Sequence, residues 1–447
     1  MLADPSISVL GPDPTHRNFV LNGNAFQQDA IQSFNGWQYA CFYSALSTDG
    51  ATEPLYIHLS RRKLPEGKWE TFVFDDYPQT TDDGHNTVQL GICPGDGTIH
   101  LSYDHHCDII RYRHSQAGVA KSPESTTWSA ALFTPHLSHL PGLGAEHDEL
   151  FSYVTYPRFV QLGSDLLFSF RTGKAGLGDD HVCVYSAQTS SYEVLGTNLK
   201  GVDNNPYIHG LDVRDGRLHA TWVYRGFVLY DGWDDLLDTK HKQQRGPNSA
   251  ENNHNICYAY SDDGGRTWRN GADEAVADLA RGESVRPDSP GIVAFEIPKG
   301  SGLSNQEAQA VDHDGGVHVL NRDAVDGEQR WKHYCRLPGG SWTQHALPHV
   351  DGVKGGKRGR LAVSKDDDLY LILPSHTAPT LTILKASKAT GYSEYEPVWR
   401  QDGFPPTEPL VDTTRLDHDN VLSVFTRANN EAGSGSSADV VVLDFKL

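Results

Sequence analysis

VQLGICPGDGTIHLSYDHH, residues 88–106, is the stretch on which the fold turns. Two apolar-alternating runs flank Pro94-Gly95-Asp96-Gly97, a turn sequence built from residues that tolerate tight backbone geometry. The period of two puts one face of each run into a core, so the stretch reads as a β-hairpin. It ends in a polar cluster, Tyr103-Asp104-His105-His106, and His85 stands just ahead of it.

The same unit recurs along the chain. AIQSFNGWQYACFYS (30–44) precedes it, and RFVQLGSDLLFSFRT (158–172) and GLDVRDGRLHATWVYR (210–225) follow. Then come AQAVDHDGGVHVLNRD (308–323), RLAVSKDDDLYLILPS (360–375) and TTRLDHDNVLSVFTRAN (413–429). Second strands recur at roughly 50 to 70 residues, with one gap of about 100, and no long amphipathic helix intervenes. Radial repetition of such units is the signature of a β-propeller. Outer strands are legible downstream of the hairpins, best in ICYAYSDDGGRTW, where Ser261–Trp268 has the S-x-D-x-G-x-T-W form of an Asp-box turn. The expectation is an all-β, seven-bladed propeller with BNR/Asp-box-like repeats. One domain spans residues 1–447, and a polar loop insertion at about 226–253 accounts for the long gap.

Composition narrows the function. The chain has 447 residues and a net charge of −20, from 38 basic and 58 acidic side chains, which argues against a nucleic-acid binder. No apolar run approaches the ~20 residues of a membrane helix, so no membrane partner is expected. A local Arg cluster can still attract an acidic ligand. The six cysteines are dispersed, without a CxxC pair, and read as buried thiols. MLADPSISVL lacks a basic start and a long apolar stretch, and Met1 is the only Met. Either the protein is cytoplasmic, or a leader has been removed.

Residues at the mouths of inner strands converge in a propeller even when far apart in sequence. Here those positions carry His85 and Asn86, His105 and His106, Tyr156 and Arg158, Arg171, His209, Arg225 and Arg358, with His254 on the outer part of the fourth unit. His, Tyr, Arg and Asn dominate, and carboxylates are sparse. A usual glycosidase needs two flanking carboxylates. The set present suits β-elimination at a uronic acid instead. Arg masks the carboxylate charge, His or Tyr removes the proton from C5, and an acid protonates the departing O4. In a glucuronate that hydrogen and O4 lie on one side of the ring, so base and acid can be neighbours. A metal site on His105, His106, Cys107 and His254 would need ligands that alternate faces. No catalytic metal is expected, while a structural Ca²⁺ has room in the channel or a loop.

The stretches DDGHNTVQLGICPGDGTIHLSYDHH, TYPRFVQLGSDLLFSFRTG and NHNICYAYSDDGGRTW resemble the seven-bladed propeller polysaccharide lyases. These include the ulvan lyases of families 24 and 25. More closely, the chain is similar to the fungal L-rhamnose-α-1,4-D-glucuronate lyases of family 42. G-H-N (84–86), Y-D-H-H (103–106) and T-Y-P-R-F (155–159) carry the resemblance. It implies His85 and His105 as paired catalytic histidines, with His106 competing for the second role. It further implies Tyr156 as the catalytic Tyr and Arg171 as the residue that neutralises the uronate. Asn86, Arg158, His209, Arg225, His254 and Arg358 become expected substrate contacts. Release of terminal L-rhamnose from gum arabic side chains, by a secreted monomer needing no cofactor, is the implied activity. An endo-acting ulvan lyase, a sialidase- or rhamnosidase-like hydrolase and a non-catalytic carbohydrate-binding propeller remain open alternatives.

Overall fold

The computed structural model describes all residues except 15, 25–28, 47–53, 235–245, 349–356 and 430–436. The structure holds seven antiparallel sheets, and each contains strands from one of the seven quoted segments. Blade one is Ile31–Phe34, Trp37–Ala45, Leu55–Lys63 and Glu70–Gln79. Blade two pairs Val88–Ile92, Ile99–Tyr103 and Tyr112–His114. Blade three starts at Val154–Leu162, blade four at Asn204–Arg214, blade five at Ala308–Val311 and blade six at Arg360–Val363. Hairpin alternation produces the core, because one face of each sheet packs on the next blade.

Blade seven closes the ring. Its inner strand Leu410–Val411 leads through Val421–Asn429 to Ala438–Lys446, and Ser6–Pro12 from the N-terminus adds the outer edge. Asp444 joins blades seven and one as a buried acceptor, 2.5 Å from Arg62 and 2.7 Å from Arg415. One expectation is corrected here. TTRLDHD does not start a hairpin but forms the helix Thr413–Asp419, because the Asp412 carboxylate accepts from Arg415 N and caps the turn.

The Asp-box turn folds as its residues dictate. The Asp263 carboxylate accepts from the backbone N of Arg266 and Thr267 and from the Thr267 hydroxyl. Gly264 and Gly265 take φ of 73° and 95°, the left-handed region open to glycine. Trp268 is then fully buried between blades three and four, against Leu167, Val182 and Leu218. All six cysteines are buried. Of the insertion, residues 235–245 lie outside the described residues.

Asp263→Ala removes four acceptor contacts from one turn, the fourth from the Ser261 hydroxyl, and is expected to destabilise the protein by about 1–2 kcal/mol. Chemical denaturation with an unchanged m-value would register this, and an unchanged midpoint would contradict it.

Candidate active site

Strand mouths of blades two to six surround a cavity of about 750 Å³. Its wall includes His85, His106, Tyr156, Arg171, Tyr207, Arg225 and Arg358.

The histidines come first. The Asp83 carboxylate lies 2.5 Å from His85 Nδ1 through one oxygen and 2.6 Å from His106 Nδ1 through the other. The two imidazoles stack, with centroids 3.8 Å apart and planes 19° apart. An ionised carboxylate only accepts, so each Nδ1 must carry the hydrogen and each neutral ring keeps its basic lone pair on Nε2. Burial works to raise the Asp83 pKa, but the bonds from His106 and His85 hold it well below the usual carboxylate range. Burial, and then the neighbouring His85, push the His106 pKa below 6.5. His106 is thereby favoured in its neutral form, stacked on His85 with its Nδ1 held by Asp83.

His106, not His105, is the second member of the pair. Asp104 adopts a left-handed φ of 63°, which breaks simple strand alternation. The chain then leaves blade two as the short strand His106–Asp108 and pairs with blade three, placing His106 opposite Thr155. His105 stays behind, where its Nε2 accepts from Arg111 N at 2.7 Å, and burial holds its pKa well below 6.5. Asp104 also steadies the chain just after His85 by accepting from Asn86 Nδ2 at 2.8 Å.

Tyr156 sits at φ 56°, unusual for a bulky side chain, at a register shift between Thr155 and Arg158. This irregular turn puts its ring 5.7 Å from that of His85. The Arg171 guanidinium lies 4.6 Å over the Tyr156 ring and 5.4 Å over Tyr207. Arg171 is buried, and its Nε has no partner among the described residues. Burial raises the Tyr156 pKa above its ordinary value, although Arg171 and Arg225 oppose the shift. Arg225 lies 4.5 Å over Tyr207 and is held by Asn253. Arg358 is anchored by Glu408 at 2.9 Å and by Asn305. Three guanidinium groups therefore face one pocket that also holds a carboxylate-backed imidazole pair.

Of the expected substrate contacts, Arg225 and Arg358 line the cavity, while Asn86, Arg158, His209 and His254 do not. Asn86 is spent on Asp104. Arg158 donates to Ile208 O and belongs to a separate cavity of about 270 Å³ along the channel, with Asp29 and Asp212. His209 accepts from Glu307 N, and its pKa is lowered to about 3 by burial. His254 lies 2.9 Å from Asn204 Oδ1 on the third strand of blade four. Asp83, Lys174, Asn18 and Phe19 line the cavity and went unrecognised in the sequence. Asp83 had a signal, a carboxylate two residues before His85. The N-terminal pair had none.

Two groups have metal-ligand geometry among the described residues: Asp83 with His85 and His106, and His318 with His333 and Cys335. In both, ring nitrogens already have hydrogen-bond partners, including a 3.0 Å contact between His318 Nδ1 and His333 Nε2.

The pattern of the BNR repeat-containing family matches residues 37–350. The chain belongs to that family. It is 25% identical over 385 residues to a long-isoform ulvan lyase of Alteromonas sp. (strain LOR), covering 74% of this chain and 37% of the relative. A long-isoform ulvan lyase of Pseudoalteromonas sp. (strain PLSV) is 26% identical over 334 residues, covering 66% and 31%. The chain thus spans only about a third of these relatives' length. Among solved structures, the polysaccharide lyase Uly1 superimposes with a TM-score of 0.70 at 20% identity, covering 96% of this chain and 93% of that one. A PL25 ulvan lyase gives 0.63 at 13% identity, covering 97% and 94%. These likenesses establish the propeller, and the expected kinship with ulvan lyases is met in the sequence matches.

His106 is expected to titrate below 6.5, and His85→Ala should move its pKa upward by removing the stacked imidazole that opposes its protonation. Imidazole proton shifts followed against pH would check this, and an unmoved titration would contradict it.

Proposed function

We propose that this chain is a polysaccharide lyase that cleaves the bond to O4 of a D-glucuronate by β-elimination. The observation that carries the reading is the Asp83-backed His85–His106 stack beside Tyr156 and the buried Arg171. Each group has a place in one reaction. Arg171 pairs with the uronate carboxylate and masks the charge that makes the C5 hydrogen unreactive. His106 Nε2 removes that hydrogen, and the electron pair left on C5 forms the C4–C5 double bond as the C4–O4 bond breaks. Tyr156, whose raised pKa keeps its proton in place at neutral pH, protonates the departing O4. His85 shares Asp83 with His106 and keeps that ring aligned. The atoms balance without a cofactor: one proton leaves C5, one reaches O4, and the product is an unsaturated uronate.

On the finer question, rhamnosyl-α-1,4-glucuronate side chains of the gum arabic type are the proposed substrate, with L-rhamnose as the leaving sugar. Endo-cleavage of ulvan is the second reading, favoured by the names of the curated relatives. A secreted monomer acting on an acidic glycan, with any Ca²⁺ in a structural role, completes the proposal.

Incubation with gum arabic and with ulvan, followed by ultraviolet absorbance of the conjugated product, tests both readings. Free rhamnose from gum arabic supports the first, and unsaturated oligosaccharides from ulvan support the second. His106→Ala and Arg171→Ala should each lower kcat/KM by about 10²–10⁴-fold, the scale of losing a proton-transfer or charge-stabilising group. His105→Gln should retain most activity. Because the competent His106 is neutral and Tyr156 keeps its proton, kcat/KM should hold steady from pH 6.5 upward and fall only below it. Sugar release without absorbance, or equal losses in His105→Gln and His106→Ala, would contradict the assignment.

A further inference from the structure

Phe19 is an aromatic ring left outside the core, 56% exposed, on the wall of the same cavity as His85 and His106. Its position is fixed by the backbone around it. Asp82 accepts from the backbone N of Asn18 and of Phe19, each at 3.0 Å, and from Asn18 Nδ2 at 2.7 Å. Arg17 donates to Gln79 O and Oε1 at 3.1 and 2.9 Å. Asn24 Nδ2 donates to Gly84 O at 2.9 Å. A side chain at Gly84 would stand only 3.8 Å from the Phe19 Cβ, so the loop before His85 packs directly on this segment. On the other side Glu408 N donates to Gly23 O, and Glu408 is the anchor of Arg358. The stretch 17–24 is therefore tied at one end to the histidine loop and at the other to an arginine of the cavity.

An exposed aromatic held this rigidly, beside three guanidinium groups, is poorly explained by packing and well suited to a sugar. The C–H face of a pyranose stacks on an aromatic ring while its hydroxyls stay solvated. We propose that Phe19 is the stacking platform for the sugar linked to O4 of the uronate. This inference rests on the lyase reading above. If the imidazole pair and Tyr156 work at C5 and O4, the sugar leaving from O4 lies on the His85 side, and Phe19 is the exposed aromatic side chain on the wall there. The platform then acts as a specificity residue. It favours sugars with an apolar edge, such as 6-deoxyhexoses, over those that present hydroxyls all round.

Three variants test it. Phe19→Ala should raise KM for gum arabic or ulvan, whichever is turned over, by about tenfold, with kcat within about twofold, because stacking serves ground state and transition state alike. Phe19→Tyr keeps the ring face and should stay near the wild-type KM. In an inactive His106→Ala background, calorimetry with the same glycans should show the Kd raised by the same factor when Phe19→Ala is added. Elimination with an unchanged KM in Phe19→Ala, or a loss in Phe19→Tyr as large as that in Phe19→Ala, overturns the platform and leaves the lyase reading intact. If wild type eliminates from neither glycan, the lyase reading fails. The calorimetric arm then decides alone: a weakened Kd supports the platform, and an unchanged one overturns it.

Discussion

One carboxylate between two imidazoles organises this molecule's candidate chemistry. Asp83 is an acceptor only, so it dictates which nitrogen of His85 and of His106 carries hydrogen, and thereby which one stays basic. It also holds two rings of like potential charge at stacking distance, which disfavours protonation of His106 beside His85. Every other feature of the cavity can be understood as completing that arrangement. Tyr156 is carried there on a left-handed residue, and Arg171 is sandwiched against two phenol rings. Arg358 and Arg225 add positive charge in a chain that is strongly acidic overall.

The propeller makes this convergence inexpensive. Each blade buries its own hairpin and contributes to the cavity residues near the start of its inner strand or the end of the next, as with Tyr156 and Arg171 in blade three. The Asp82–Asn86 loop, the crossing segment at His106 and the start of blade three can thus vary without disturbing the core. The crossing segment is the instructive one. Residues 106–108 pair with blade three although they lie between the second and third strands of blade two in sequence, and this swap delivers His106 beside His85. Closure of the ring by the N-terminal strand brings the following segment, with Asn18 and Phe19, to the cavity's edge.

Much of this was legible in the sequence, for a physical reason. Hairpins announce themselves through period-two alternation and Gly/Asp/Asn turns, and all seven quoted segments fall in separate blades. The helix at 413–419 was missed because a capping Asp412 outweighed a weak alternating pattern. In the site, His85, Tyr156, Arg171, Arg225 and Arg358 lie where strand mouths predict. His105 was preferred over His106 because motif position says nothing about a left-handed turn at Asp104. Asn86, Arg158, His209 and His254 show the limit of the mouth rule: polar residues there also satisfy buried backbone and carboxylates. Phe19 had no local signal, since its role comes from ring closure and not from any repeat.

The most direct test of the central claim is a crystal structure of His106→Ala with a glucuronate-containing oligosaccharide bound. The account predicts the uronate carboxylate within hydrogen-bonding distance of Arg171, with C5 facing the space the imidazole vacated and O4 turned toward Tyr156. A glycan seated elsewhere on the propeller, or a uronate whose carboxylate points away from Arg171, would contradict it.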